Sequence, residues 1–164
     1  MILCPDDHPE RWSNPGEAFA SVARKLRDEV LTDPAVGVVW VMVGVPGSGK
    51  STWAKDANER GTVRPRGVTT NVGPVAELTK MIIIDACHAD PKRRRALAQR
   101  ILKAGKHPAV VWVQTPLSEC IRRNAERDGP RCVPEGVIVK QHRAIRRTPP
   151  TIGEGWDDMI EVRP

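Results

Sequence analysis

Apolar positions along the chain switch between two spacings. Ala18, Phe19, Val22, Leu26 and Val30 recur three and four apart, which predicts an amphipathic helix to about Leu31. Ser13 or Asn14 stands where its cap belongs, with Pro15 in the first turn. "TDPAVG" ends it. "VGVVWVMVG" follows, a β-branched run without polar alternation, as in a strand buried on both faces. The same pattern returns in "KMIIIDAC" (80–87) and "HPAVVWVQT" (107–115). Helical spacing separates these runs. It covers about Lys50 to Asn58, "DPKRRRALAQRILKAGK" with Asp90 as cap, Pro91 first and Gly105 as stop, "PLSECIRRNAERDG" from Pro116, and "PEGVIVKQHRAIRRT". A short strand, Met159 to Val162, closes the chain. Residues 59–79 are interrupted by Gly and Pro, and only "GVTTN" there has strand character.

Strands alternating with helices predict an α/β protein with a mostly parallel central sheet. Right-handed crossovers put helices on both faces and substrate at the carboxyl edge of the strands. A chain of 164 residues fits one domain. Residues 1–15 read as an irregular arm and 16–164 as a single domain with its core at 37–163, preceded by an extra N-terminal helix.

Composition changes this picture little. The net charge of +6 permits an anionic partner, but the Arg-rich segments carry more weight than the total. With five Trp, one Phe and no Tyr, aromatic stacking rests on Trp. Trp53 is expected to pack, whereas Trp156 in "GEGWDD" can pack or stack. Cys4, Cys87, Cys120 and Cys132 form no CxxC pair and fit no zinc template, so free thiols are expected. The start, "MILCPDDHPERW", turns acidic and Pro-rich at once. No apolar run approaches the roughly 20 residues that span a bilayer. A cytoplasmic protein without membrane partners is expected.

The most specific signal is "GVPGSGKS", Gly44 to Ser51, which matches GxxxxGK[ST] between a strand and a helix. Glycines let backbone amides converge on phosphate oxygens, and the following helix adds its positive end. Gly44, Pro46, Gly47, Ser48 and Gly49 are thus candidate nucleotide-binding residues. Lys50 is expected on the β- and γ-phosphates, Ser51 on Mg²⁺ and Thr52 at the α-phosphate. Asp85 ends a neighbouring strand at the same edge. It either holds the water shell of Mg²⁺ or takes a proton from an attacking hydroxyl. Asp90 reads better as a helix cap, and His88 as either a solvent-facing loop residue or a substrate contact. In "RRNAERDGPR" (122–131), Arg123 and Arg127 lie one turn apart, as lid cations over a transferring phosphoryl group would. Arg122 reads as part of a solvated face. "KRRR" (92–95) and "HRAIRR" (142–147) are either solvated helix faces or a track for nucleic-acid phosphates.

Four segments in order carry a resemblance to the polynucleotide 5′-hydroxyl kinase family, phage end-healing enzymes included. They are "GVPGSGKSTWAK", "IIIDACHADPKRR", "ECIRRNAERDGPRCVPEGVIVKQ" and "PPTIGEGWDDMIEV", together spanning about residues 38–163. The resemblance implies a three-layer P-loop NTPase fold, ATP and Mg²⁺, and transfer of the γ-phosphate to a hydroxyl, typically the 5′-OH of DNA or RNA. It carries Lys50 and Ser51 over as donor-site residues, Arg123 as the lid arginine and Asp85 as the strand-end carboxylate. The chain departs from the family in one respect. The family's general base is an Asp after its second strand, and residues 59–79 hold only Glu59 and Glu77 as acids. Asp85 or Glu77 then takes that role, or the acceptor differs. A nucleoside, sugar or antibiotic kinase and a non-catalytic nucleotide-binding module are the alternative expectations.

Overall fold

The computed structural model describes residues 1–11, 13–60 and 80–163. "GVTTN" and Glu77 lie outside them. The described elements are β1 (Ile2–Leu3), α1 (Pro15–Lys25), β2 (Val36–Val43), α2 (Lys50–Glu59), β3 (Lys80–Ile84), α3 (Pro91–Lys103), β4 (His107–Val113), α4 (Leu117–Ala125), α5 (Glu135–Arg147) and β5 (Asp158–Val162). A π-helical turn, Leu26–Val30, continues α1 to the expected end.

The strands form one five-stranded sheet, ordered β1-β3-β2-β4-β5, and every neighbouring pair is parallel. Alternate side chains divide between two apolar layers. On one face Val39, Val41 and Val43 of β2 join Ile82 and Ile84 of β3. Leu26 and Val30, Ala98 and Ile101 of α3, Cys120 of α4, and Ile138 and Ile145 of α5 cover them. On the other face Trp40, Met42, Ile83 and Val111 meet Ala54 and Ala57 of α2, with Trp53 packed alongside. The unbroken apolar runs follow from this double burial.

Helix ends follow their local chemistry. The Asn14 side chain accepts from the Glu17 amide at 3.3 Å. That of Asp90 accepts from the Lys92 amide at 2.8 Å, ahead of Pro91. Gly105 turns the chain after α3 with φ +70°.

The arm departs from expectation. Ile2 and Leu3 pair with Ile83 and Ile84 as the edge strand of the sheet. Backbone bonds secure it, from the Ile83 amide to the Met1 carbonyl and from the Asp85 amide to the Leu3 carbonyl, both 2.9 Å. Asp6 and Asp7 then run over the surface in a short 3-10 turn, Pro5–Asp7.

"KRRR" is also not one uniform face. Lys92, Arg93 and Arg95 are exposed, but Arg94 is fully buried. It forks onto the Glu154 carboxylate at 2.8 and 2.6 Å, and donates to the carbonyls of Thr148, His88 and Ala89. Trp156 is core, with its indole N–H donating to Glu154 at 3.2 Å. No helix among the described residues is long and apolar enough to cross a membrane.

Candidate functional site

The segment Gly44–Gly49 leaves β2 at its carboxyl end and delivers the chain into α2. Gly47 has φ +81°, and a Cβ there would sit 2.2 Å from the Cys120 carbonyl oxygen. The loop therefore lies flat against the first turns of α4, at a distance only glycine permits. Thr115 ties it from below, its hydroxyl donating to the Ser48 carbonyl at 2.6 Å. The Gly44 amide bonds the Cys87 carbonyl at 3.2 Å, which joins the loop to the segment after β3.

The concave side of this loop suits an anion. Gly49 caps α2 without a side chain, so the cap itself offers no acceptor to the first amides of the helix, and the first turn holds no acid. Those amides and the helix dipole point outward together. The Ser48 hydroxyl is buried and, among the described residues, without a hydrogen-bond partner. Lys50 is buried, and its Nζ donates to the Val45 carbonyl at 2.9 Å, so it curls over the loop. Ser51 and Thr52 are exposed at the helix start. Arg123 comes over the rim, its Nη1 3.7 Å from where a Cβ on Gly49 would lie. Its Nε donates to Glu119 at 2.6 Å. The Arg122 and Arg123 guanidiniums hold the Glu119 carboxyl down to about 2. Arg122 itself faces solvent and pairs with Glu119 and Glu126 along α4, as expected of a surface residue.

A cavity of about 340 Å³ opens beside the start of α2. It brings together Ser51, Asp85 and Arg127, three of the residues singled out from the sequence. It also recruits residues that sequence reasoning passed over: Lys55 of α2, Arg131, and Cys4, Asp6 and Asp7 of the arm. Asp85 is 5% exposed and accepts from the Cys4 thiol at 3.8 Å. Burial, then the Asp85 charge, push that thiol up to about 12. The Ser51 hydroxyl and Asp85 carboxylate are hard oxygen donors of the kind that suit Mg²⁺. Glu77 lies outside the described residues.

His88 is structural. Its Nδ1 contacts the Met42 carbonyl at 2.9 Å, so that nitrogen carries the proton and links β2 to the loop after β3. Burial lowers its pKa, and Lys50 adds to the effect, so the ring is neutral at pH 7. Three residues of "HRAIRR", His142, Ile145 and Arg146, line a second cavity of about 350 Å³ next to Gly44 and Thr115. The arm residues carried no advance signal, because a two-residue strand has no periodicity to read.

No model of a known protein family matches this sequence, and no curated protein matches it.

Proposed function

We propose that the chain is a P-loop phosphotransferase that moves the γ-phosphate of ATP to a hydroxyl, with a polynucleotide 5′-OH as the preferred acceptor. The observation that carries the reading is one cavity edge shared by Ser51, Asp85 and Arg127, beside a glycine loop with an open helix N-terminus. The loop amides and Lys50 hold the triphosphate, and Arg123 and Arg127 lie over the group that moves. Mg²⁺, when bound, neutralises charge on the phosphates, with Ser51 and Asp85 as the chain's oxygen donors toward it. Positioning and electrostatics supply most of the catalysis in such transfers, so a site of amides and cations is chemically sufficient.

The nucleic-acid preference rests on the exposed cations Lys92, Arg93 and Arg95 of α3 and Lys140, Arg143 and Arg147 of α5, together with the resemblance of the four segments. Binding through such cations falls steeply with salt.

The test is label transfer from γ-labelled ATP to 5′-OH DNA, 5′-OH RNA, nucleosides and aminoglycosides. The expected result is label on an oligonucleotide, abolished in Lys50→Ala while the thermal unfolding transition persists. Near-normal transfer by Lys50→Ala rejects the kinase reading. Label confined to a nucleoside or aminoglycoside replaces the acceptor and keeps the reaction.

A further inference from the structure

A hydroxyl attacking a phosphoryl group needs somewhere to send its proton. The cavity at Ser51 holds three carboxylates, and their surroundings set them apart. Asp85 is enclosed and accepts from the Cys4 thiol. Asp6 is committed to Arg11, whose Nε lies 2.7 Å from its Oδ1. The Asp7 side chain is exposed, and among the described residues it accepts no hydrogen bond and joins no ion pair. Of the three it is the one that no thiol or cation engages among the described residues.

The arm reaches this point by sheet pairing. Ile2 and Leu3 register with Ile83 and Ile84, so the next residues along both strands, Cys4 and Asp85, fall side by side. The 3-10 turn that follows carries Asp7 onto the cavity wall, and its amide closes on the Cys4 carbonyl at 3.2 Å. The same cavity is lined by three cations from other elements: Lys55 on α2, and Arg127 and Arg131 after α4. An acid beside three cations suits an acceptor that brings both a hydroxyl and a negative charge.

We propose that this cavity is the acceptor subsite. Asp7 receives the proton of the attacking hydroxyl, Lys55 and Arg131 hold a phosphate of the same acceptor, and Arg127 stays with the group that moves. The inference rests on the kinase reading and deepens it. The acceptor oxygen forms a bond to the γ-phosphorus, and the bond from that phosphorus to the β–γ bridging oxygen breaks. The bond's electron pair leaves with ADP, and the hydroxyl proton passes to the Asp7 carboxylate and then to water. The arm thereby supplies a carboxylate that residues 59–79 do not offer as an Asp. The substrate class narrows to hydroxyls adjoining a phosphate, as at the 5′ end of an oligonucleotide.

The experiment uses the full chain, wild type, Asp7→Asn, Lys55→Ala and the remote control Asp28→Asn. It measures transfer to a 5′-OH dinucleotide and to the corresponding nucleoside, the pH–rate profile, and ATP binding by calorimetry. Asp7→Asn is expected to slow transfer by about 100-fold or more and to erase the acid limb of the pH profile. ATP affinity and the unfolding midpoint stay those of wild type. Lys55→Ala is expected to raise KM for the dinucleotide about 5-fold and leave that of the nucleoside unchanged, since an exposed charge contact contributes up to about 1 kcal/mol. Transfer by Asp7→Asn within about threefold of wild type, with the acid limb intact, overturns the inference and leaves the kinase reading standing. Equal use of nucleoside and dinucleotide overturns the phosphate clause. A wild-type protein that binds ATP but labels neither acceptor overturns the kinase reading itself.

Discussion

Arg94 offers the sharpest test of how the site is held up. Its side chain has no exposure and that of its partner Glu154 has 4%, so the pair lies outside the reach of bulk water. Replacing Arg94 by Met keeps most of the volume but strands the Glu154 carboxylate, with, among the described residues, only the Trp156 indole N–H at 3.2 Å still directed at it. The carbonyls of His88, Ala89 and Thr148 lose their donor as well. Removing one partner of a buried ion pair costs about 3–5 kcal/mol. At about 2–4 °C per kcal/mol for a domain of this size, the unfolding midpoint should fall by about 6–20 °C. The double variant Arg94→Met/Glu154→Leu removes both charges, and apolar replacement of a buried pair is often neutral, so it should regain most of that loss. Thermal unfolding followed by circular dichroism, with reversibility checked on cooling, decides the matter. A single variant within about 2 °C of wild type, or a double variant no better than the single, refutes the reasoning.

Two further predictions concern the loop and the arm. Gly47→Ala must force left-handed backbone, costing about 1–2 kcal/mol, and push the new methyl into the Cys120 carbonyl. ATP binding measured by calorimetry should weaken about 10-fold or more, and unchanged affinity would show that the loop does not lie against α4. The Cys4 thiol, raised to about 12, should resist iodoacetamide at pH 8 while exposed Cys132 reacts, as read by peptide mass mapping. The unfolded thiol ionises near 9 and the folded one only near 12, so the unfolded chain loses its proton first. The stability that Cys4 contributes is therefore complete below about pH 9 and drains away as pH climbs toward 12. Alkylation of Cys4 as fast as Cys132 at pH 8 contradicts the buried contact with Asp85.

Much of this architecture was legible where its cause is local. Asn14, Asp90 with Pro91, and Gly105 mark helix ends because a cap or a left-handed turn acts within a few residues. The runs at Val36, Met81 and Ala109 read as buried strands because both faces of the sheet demand apolar side chains. Gly44 to Ser51 was legible for the same reason, since the loop's shape lies in its own glycines. What escaped depends on distant partners. Nothing in "KRRR" distinguishes Arg94 from its neighbours; that takes a Glu154 on the far side of α5. Ile2 and Leu3 are too few to show alternation, and their pairing with β3 is decided by the exposed edge of a strand some eighty positions later. Asp7 reaches the cavity only because that edge is filled.

The two-residue strand β1 also has a consequence for opening and closing. A strand so short has no stability of its own and exists only while the edge of β3 holds it. Cys4 and Asp85 stand 81 positions apart, so a large loop must close before the arm can dock. The rest of the sheet is bound by longer ladders on both sides of β2. Detachment of the arm is therefore the least costly local unfolding the sheet offers. The amide protons of Ile83 and Asp85, shielded by the Met1 and Leu3 carbonyls, would exchange with solvent at each such excursion. Their neighbours bonded toward β2 would stay protected. One wall of the cavity would thus open independently of the glycine loop and its helix.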